Sequence, residues 1–304
     1  MVVASAQMEG LKQIMQQMMA RGLAAKFDGN IDPNRLRSVI QVAQANMPTE
    51  PGVTFEACIL GGVEAELSVP ENARADAIII YIHGGGLICG NAQTSRGYAS
   101  MLAGETKIPV YSFSYRLAPE HKCPAAIDDC FAVYQAVLRK HPGLPVFLIG
   151  ESGGAYLSIV TALKARDNGI TLPAGVIPYS PPLEFCGIFD RNHPNNKDFT
   201  VSPNGLGSLG AMYYAEESQH RDPYATPYYA DYHDFPPTYL AWDESESLAV
   251  DAEYLRDKLT ASGAQVQWES YPDCFHAFPT SGRGTPESLD VLHKTVAFIN
   301  SHIG

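Results

Sequence analysis

The sequence predicts an α/β protein in which helices cover both faces of a mostly parallel central sheet. Short apolar segments alternate with segments of helical periodicity along most of the chain, as expected of strands joined by crossover helices. A length of 304 residues and a hydrophobic content of 45% are sufficient to bury a large core. The chain therefore forms either one large α/β domain or two smaller ones.

The first half of the chain contains two amphipathic helices and four predicted strands. Apolar residues recur at helical spacing over residues 9–21 and Pro33–Ala45. FEACILGGVEAELSV predicts an antiparallel hairpin that turns at Gly61 and Gly62, and we expect it at the edge of the sheet. ADAIIIYIHGGG predicts a buried strand that runs into a glycine loop, and PVYSFSYRLAPE begins with another strand.

The second half continues the alternation. AAIDDCFAVYQAVLRKH predicts a helix with Asp in its first turn and basic residues in its last, which suits the helix dipole. FLIGESGGAYLSIV predicts a strand, a sharp turn and a helix. Further strands are predicted in PAGVIPYSPP, PTYLAWDE and VQWESYP, and further helices in AVDAEYLRDKLTASG and PESLDVLHKTVAFINSHI.

One segment interrupts this alternation. Residues 183–218 are rich in Asn, Gly, Pro and aromatic residues and show no clear periodicity, so an irregular structure is predicted for them. Irregular segments of this length in a compact domain are usually functional. We therefore expect these residues to form a lid rather than a simple connection.

Composition excludes several classes of function. A net charge of -12 argues against nucleic acid or an anionic membrane as partner, since both attract basic surfaces. The six cysteines form no CxxC pair, so we expect no zinc site. No apolar run reaches the roughly 18 residues of a membrane span, and no secretory signal is apparent at the start. We expect a cytoplasmic protein with reduced thiols.

The sharp turn in FLIGESGGAYLSIV contains a GxSxG pattern centred on Ser152. In a nucleophile elbow, a serine lies on a tight strand-to-helix turn, and small residues on either side prevent steric clashes. The pattern alone is also compatible with a glycine-rich turn in which Ser152 only caps the helix. Because an apolar strand precedes it and a helix follows it, we predict that Ser152 is a nucleophile.

A second glycine motif follows the strand that ends at Ile82. Successive glycines after His83 allow backbone N–H groups to converge on one oxygen atom. We predict an oxyanion hole formed by the N–H groups of Gly84, Gly85 and Gly153, with His83 orienting the loop. A phosphate-binding turn is the weaker alternative, since the loop lacks the spacing of known phosphate-binding motifs.

A reactive serine also requires a base. Of the nine histidines, His276 in SYPDCFHAF is the strongest candidate, because it lies in the loop after the last predicted strand. It also follows Ser152 along the chain, in the order Ser, acid, His that this strand-turn-helix arrangement uses. A neutral imidazole accepts the serine proton and later returns it to a leaving group. We also expect no other metal and no cofactor, because a serine and a histidine carry out this chemistry without one.

Together these motifs resemble the hormone-sensitive-lipase-like group of α/β-hydrolases, also called family IV esterases. The resemblance runs from about residue 50 to the C-terminus and rests on HGGG at residues 83–86, SYRLAPEHKCPAAIDD at 114–129, the GxSxG elbow, DPYATP near Asp222 and HAF at His276. It implies an α/β-hydrolase domain over residues 51–304 with a cap insertion at about 183–218, and an N-terminal helical cap segment over residues 1–50. We expect the YRLAPE segment to brace the elbow.

The chain departs from the family pattern beside the nucleophile. The usual GDSAGG has Asp and Ala where this chain has Glu151 and Gly153. A Glu before the serine also resembles type-B carboxylesterases, but those chains are much longer and lack YRLAPEH. We expect Glu151 to belong to a structural hydrogen-bond network and not to be the acid of the triad.

The resemblance leaves two choices for that acid. The family places an Asp-Pro-Leu after a strand, and alignment from either Pro236 or Gly263 puts Glu246-Ser247-Leu248 on this tripeptide. Asp243 is the alternative, because it is an Asp and lies nearer the end of the strand. We favour Glu246, since Asp243 requires a shift of three residues in both alignments.

The resemblance implies a serine carboxylesterase that hydrolyses short-chain acyl esters, acetyl to hexanoyl, through an acyl-enzyme. A cap formed by the N-terminal helices, with Met15, Met18 and Met19, and by the insertion suits small apolar groups. The alternatives are a non-catalytic member of the same fold that binds a small ligand, and an amidase. By analogy with the family, a homodimer would form through the last strand, near Val266–Tyr271.

Overall fold

The protein is described by a computed structural model covering residues 4–45 and 47–303. Residues 1–3 and 46 of the predicted N-terminal cap segment, and residue 304, lie outside the described residues. One sheet of eight strands forms the centre of the molecule. The strands are β1 (Val53–Leu60), β2 (Val63–Pro70), β3 (Ile78–Ile82), β4 (Val110–Phe113), β5 (Val146–Glu151), β6 (Gly175–Tyr179), β7 (Thr238–Asp243) and β8 (Val266–Tyr271).

The strand order is β1-β2-β4-β3-β5-β6-β7-β8. The pairs from β4 to β8 are all parallel, whereas β2 pairs antiparallel with both β1 and β4. The hairpin turns between Leu60 and Val63, as the two glycines predict. The predicted mostly parallel sheet with an antiparallel edge is therefore confirmed.

Eight α-helices surround this sheet in the described chain. They are α1 (Ala6–Ala20), α2 (Pro33–Ala45), α3 (Arg96–Thr106), α4 (Ala125–Lys140), α5 (Gly153–Asp167), α6 (Pro203–Tyr213), α7 (Ala249–Ala261) and α8 (Pro286–Ser301). None of them is both long enough and apolar enough to cross a membrane.

The helix α3 is not predicted from the sequence. The helix carries the chain from β3 to the parallel neighbouring strand β4. Its buried residues include Gly97, Tyr98, Ser100 and Thr106, so small and polar side chains share its packed surface with apolar ones. Such a helix lacks the one-sided apolar stripe by which an amphipathic helix is recognised.

The prediction that residues 183–218 are irregular is wrong for part of that segment, because it contains α6. Three glycines in PNGLGSLGAMY lower its helical propensity. Two of them allow close packing: a Cβ atom at Gly205 would lie 2.1 Å from the Phe27 carbonyl oxygen, and one at Gly210 would lie 2.1 Å from that of Phe185. Tertiary packing therefore requires the residues that weaken the helical signal.

Both faces of the sheet are buried. In β3, Ile78, Ile80 and Ile82 belong to one apolar cluster, whereas Ile79 and Tyr81 belong to a second cluster on the opposite face. This burial on two sides explains why the strands are continuously apolar in the sequence. Because parallel strands end at the same edge of a sheet, the loops after β3, β5, β7 and β8 lie close together at that edge.

Candidate active site

Ser152 lies between β5 and α5, on the turn that the GxSxG pattern predicts. Its backbone has φ 54° and ψ -123°, a conformation that L-residues rarely adopt. The turn also passes very close to β3, since a Cβ atom at Gly154 would lie 2.0 Å from the Ile82 carbonyl oxygen. Gly154, the second residue after the serine, is therefore required because the elbow contacts the neighbouring strand at this position.

The loop after β8 brings His276 to Ser152. His276 Nε2 lies 2.8 Å from Ser152 Oγ, although the two residues are far apart in the chain. On the other side of the ring, His276 Nδ1 lies 2.7 Å from Glu246 Oε2. When Nδ1–H donates to this carboxylate, Nε2 is the ring atom that accepts from the serine hydroxyl. The next residue is also held in place, since Ala277 N–H donates to Ser180 Oγ at 3.1 Å.

The electrostatic environment of His276 favours its protonated form. Burial acts in the opposite direction, but the hydrogen bond and negative charge of Glu246 raise the pKa of His276 above its ordinary value. The imidazole is consequently a stronger base than a free histidine. The carboxylate is fully buried, and its second oxygen, Oε1, has no hydrogen-bond partner among the described residues.

Asp243, the alternative acid of the sequence analysis, has different partners. Its Oδ2 accepts the Ser245 hydroxyl at 2.7 Å, and its Oδ1 accepts the N–H groups of Ser245 at 3.2 Å and Cys274 at 3.0 Å. These contacts tie the end of β7 to the loop that carries His276. The structure therefore places Glu246, and not Asp243, against the imidazole.

The loop after β3 is fixed through His83. Its Nδ1 lies 2.8 Å from the Gly84 carbonyl oxygen, so this nitrogen carries the hydrogen and donates it. Burial lowers the pKa of His83 to about 4, and the ring is therefore neutral near pH 7. Tyr115 stacks on the ring with a centroid distance of 4.2 Å, and its hydroxyl donates to the His83 carbonyl oxygen at 2.9 Å.

The structure does not support the predicted role of the Gly84 N–H in an oxyanion hole. This N–H donates to Glu151 Oε1 at 2.7 Å and is therefore already engaged. The N–H groups of the next two residues, Gly85 and Gly86, have no hydrogen-bond partner within the described chain. The free N–H groups of this loop are thus those of Gly85 and Gly86, whereas the sequence predicts those of Gly84 and Gly85.

Glu151 joins the oxyanion loop to the elbow. Besides the Gly84 N–H, it accepts the Tyr81 hydroxyl, whose oxygen lies 2.6 Å from Glu151 Oε2. Burial raises the pKa of Glu151 to about 7, and the two hydrogen bonds oppose this shift because they favour the carboxylate. This residue lies in a hydrogen-bond network, as expected, but the network includes the backbone of the oxyanion loop.

The YRLAPE segment, which we expect to brace the elbow, contacts the loop after β3. Besides the contacts of Tyr115, Ala118 N–H donates to the Leu87 carbonyl oxygen at 2.9 Å. Glu120 forms a bidentate pair with Arg37 of α2 at 2.7 Å, and Arg37 Nε donates to the Ile88 carbonyl oxygen at 2.7 Å. The segment therefore supports the glycine loop and connects it to the N-terminal helices.

A cavity of about 250 Å³ opens at Ser152 and His276. Its lining includes the apolar residues Met15, Met19, Ala24, Ala25, Phe27, Ile40 and Val201. A small cavity of about 50 Å³ adjoins it behind Glu151. A larger cleft of about 670 Å³ lies beside Tyr271 and Lys294, but none of the predicted site residues lines that cleft.

The two segments predicted to form a cap meet above this cavity. Phe27 N–H donates to the Thr200 carbonyl oxygen at 2.7 Å, and Ser202 N–H donates to the Phe27 carbonyl oxygen at 2.9 Å. Met15 and Met19 line the cavity as predicted, whereas Met18 is not among the lining residues. Sequence reasoning missed Phe27, because the residue lies in neither a helix nor a recognisable motif.

Comparisons with known proteins identify the family of the chain. Residues 79–280 match the family described as having the alpha/beta hydrolase fold. The chain is 30% identical over 276 residues to an esterase of Acinetobacter venetianus, covering 90% of each chain. It is 28% identical over 283 residues to an acetyl-hydrolase of Streptomyces hygroscopicus, covering 91% of this chain and 92% of that one. A solved hormone-sensitive lipase from a metagenome library is 27% identical, with a TM-score of 0.89 and 100% coverage of both chains.

The fold and the matched sequence define an α/β-hydrolase. The chain belongs to this family and, within it, to the hormone-sensitive-lipase-like esterases. It is accordingly a carboxylic ester hydrolase. The fold class and the family that the motifs indicate are both confirmed.

Proposed function

We propose that the protein is a serine carboxylesterase that hydrolyses short-chain acyl esters through an acyl-enzyme. Ser152 is the nucleophile, His276 is the general base and acid, and Glu246 orients the imidazole. The continuous set of contacts from Ser152 Oγ through His276 to Glu246, at 2.8 Å and 2.7 Å, is the observation that carries this proposal. A nucleophile in contact with a base that a third group orients is the arrangement needed for acyl transfer.

In the first half-reaction, Ser152 Oγ attacks the ester carbonyl carbon while His276 Nε2 takes the hydroxyl proton. The carbonyl π electrons move to its oxygen, which becomes an oxyanion. When the tetrahedral intermediate collapses, the bond to the alkoxy group breaks and His276 donates its proton to the leaving alcohol. Glu246 stabilises the imidazolium present between these two proton transfers.

In the second half-reaction, water replaces the alcohol. His276 takes a proton from the water, whose oxygen attacks the acyl carbon of the acyl-enzyme. The second tetrahedral intermediate collapses, the bond to Ser152 Oγ breaks and His276 returns the proton to that oxygen. The products are a carboxylic acid and the free enzyme.

We assign the oxyanion hole to the N–H groups of Gly85, Gly86 and Gly153. The first two have no partner within the described chain, and Gly153 is the first residue of α5, where N–H groups lack intrahelical acceptors. Such preorganised donors stabilise charge that develops in the transition state. Gly84 is excluded from this set because Glu151 accepts from it.

The size and lining of the cavity support small acyl groups. At about 250 Å³ it is smaller than the roughly 300–1,000 Å³ of clefts that hold drug-sized ligands. Its lining includes two methionines, whose flexible side chains adapt to short alkyl groups. We therefore expect acetyl to hexanoyl esters to be turned over faster than longer ones.

The cap in this proposal consists of α1, α2 and the chain between them, together with the insertion at residues 183–218. Its two parts are joined by the Phe27 backbone contacts described above, and both contribute side chains to the cavity wall. The remaining chain from residue 51 onwards is the catalytic domain. We also expect the exposed edge strand β8, with Trp268 46% exposed, to pair two copies of the chain into a homodimer.

Hydrolysis of p-nitrophenyl esters with acyl chains of increasing length tests the function. We expect a maximum among short chains and no turnover by Ser152→Ala at equal protein concentration. Wild-type protein that binds short carboxylic acids without hydrolysing any ester would instead indicate a ligand-binding member of the fold. Faster cleavage of p-nitrobutyranilide than of p-nitrophenyl butyrate would indicate an amidase.

A further inference from the structure

The Glu151 carboxylate forms two hydrogen bonds to residues outside its own strand, β5. One carboxylate oxygen accepts the Gly84 N–H at 2.7 Å, and the other accepts the Tyr81 hydroxyl at 2.6 Å. Tyr81 lies in β3 and Gly84 lies in the loop that follows it. The Glu151 side chain therefore forms one hydrogen bond with the adjacent strand and one with the loop that follows this strand.

The position of Glu151 in the chain gives these contacts a consequence for the reaction. Glu151 is covalently bonded to Ser152, and it lines the same cavity as Gly85 and His276. Its backbone is also close to the loop, because a Cβ atom at Gly84 would lie 2.8 Å from the Glu151 carbonyl oxygen. The Glu151 carboxylate is thus a direct link between the residue next to the nucleophile and the oxyanion loop.

The distance between the nucleophile and the oxyanion loop matters because oxyanion donors act over a narrow range. They must lie about 2.7–3.1 Å from the position that the oxyanion will occupy, and the loss of one donor costs about 10²–10³-fold in kcat. Glu151 engages the Gly84 N–H, and the following N–H groups of Gly85 and Gly86 have no partner within the described chain. The carboxylate therefore removes the Gly84 N–H from the free donors of the loop and holds the loop just before the two that remain free.

We propose that Glu151 is a positioning residue for ester hydrolysis: its carboxylate, bound to the Gly84 N–H and the Tyr81 hydroxyl, sets the oxyanion loop relative to Ser152. This inference rests on the proposed esterase function. Glu151 does not exchange a proton with the substrate in this account. It acts through the backbone of the loop.

The test compares Glu151→Ala, Glu151→Gln and Tyr81→Phe in the full-length protein. The measurements are kcat and KM for p-nitrophenyl butyrate, and the affinity for a short alkyl trifluoromethyl ketone, whose serine adduct places a negative oxygen in the oxyanion hole. For Glu151→Ala we expect kcat and ketone affinity to fall together by about 10²–10³-fold, with little change in KM.

Glu151→Gln should restore most of this loss, to within about tenfold of wild type, because its carbonyl oxygen accepts from Gly84 and its NH₂ donates to the Tyr81 oxygen. Tyr81→Phe removes only one of the two donors, so it should lower kcat and ketone affinity in parallel but by less than Glu151→Ala. The control is Glu71→Gln, an exposed glutamate after β2, which should match wild type.

The inference would be overturned if Glu151→Ala retained the kcat and the ketone affinity of the wild type. Equal losses in Glu151→Ala and Glu151→Gln would also overturn it, because they would show that the charge of the carboxylate is needed rather than its position. If Glu151→Ala does not fold, an unchanged ketone affinity in Tyr81→Phe has the same meaning. Hydrolysis by Ser152→Ala at the wild-type rate would instead reject the proposed function. The two failures are therefore distinguishable.

Discussion

Glu246 Oε2 lies 2.7 Å from His276 Nδ1, whereas Asp243, three residues earlier, uses its carboxylate to hold Ser245 and Cys274. The two buried acids at the end of β7 thus have separate partners. One contacts the imidazole directly, and the other fastens the loop that carries it. Substitution of each should therefore have a different effect.

Neutralising Glu246 should abolish most activity, whereas neutralising Asp243 should mainly affect stability. We expect Glu246→Gln to lower kcat/KM by about 10⁴-fold, because the amide neither fixes the required tautomer nor stabilises imidazolium. Asp243→Asn should remain within about tenfold of wild type and lose about 1–3 kcal/mol of unfolding free energy, as a weaker acceptor of three hydrogen bonds. Steady-state kinetics and urea denaturation of both variants measure this contrast, and the opposite pattern would assign the acid to Asp243.

The pH dependence should report the raised pKa of His276. The base must be neutral to accept the serine proton, so kcat/KM falls as pH decreases through this pKa. Because Glu246 raises the pKa of His276, the acid limb of the profile should lie above the ordinary histidine value of about 6.5. In Glu246→Gln the residual activity should show this limb at lower pH, since the largest of the contributions that oppose burial, those of Glu246, are then removed. An acid limb at or below 6.5 in the wild-type enzyme would contradict this account.

The strained backbone of Ser152 predicts a difference between two inactive variants. Ser152→Ala and Ser152→Gly both lack the hydroxyl, but only the alanine retains a Cβ atom at φ 54°. The backbone strain of a residue with a Cβ atom in this conformation costs roughly 1–3 kcal/mol of folding free energy. Glycine avoids this strain but stabilises the unfolded chain by only roughly 0.4–1 kcal/mol relative to alanine. Thermal denaturation should show Ser152→Gly to be the more stable protein by about 1 kcal/mol. Equal stability would mean that the turn is relaxed.

The glycines of the elbow and of the cap helix α6 should differ in their tolerance of alanine. A Cβ atom at Gly154 would lie 2.0 Å from the Ile82 carbonyl oxygen, so Gly154→Ala should lose at least about 3 kcal/mol of stability or fail to fold. Nothing lies within 4 Å of a Cβ atom at Gly207, so Gly207→Ala should gain up to about 1 kcal/mol from helical propensity. Guanidinium denaturation of the matched pair provides the comparison, and similar losses in both would refute it.

Much of the arrangement could be predicted from local patterns. Alternating apolar and amphipathic segments predict the parallel sheet, and two glycine motifs after strands predict that Ser152 and the HGGG loop lie at one edge of it. Alignment with the pattern of the resembled family, from Pro236 and from Gly263, favours Glu246 over Asp243, and Glu246 is the carboxylate that contacts His276 in the structure. Each of these features can be predicted because it depends on the order of residues within one strand, helix or loop, or on the number of residues between a strand and the next helix.

The rest depends on contacts between distant segments. The sequence cannot show that Glu151 accepts from Gly84, because a carboxylate beside the nucleophile has several neighbours within reach. It also cannot show that YRLAPE supports the glycine loop, or that glycines in α6 allow the helix to approach Phe27. In each case the decisive partner lies on another element, and local propensity carries no information about it.

Mass spectrometry after reaction with diethyl p-nitrophenyl phosphate tests the central role of Ser152 most directly. The reagent transfers its diethylphosphoryl group to an activated serine and releases p-nitrophenolate, leaving a stable adduct. We expect one label per chain, on the peptide that contains Ser152, with loss of esterase activity in proportion to labelling and no label in Ser152→Ala. Labelling of a different residue in step with inactivation, or full activity in the protein labelled at Ser152, would contradict the account.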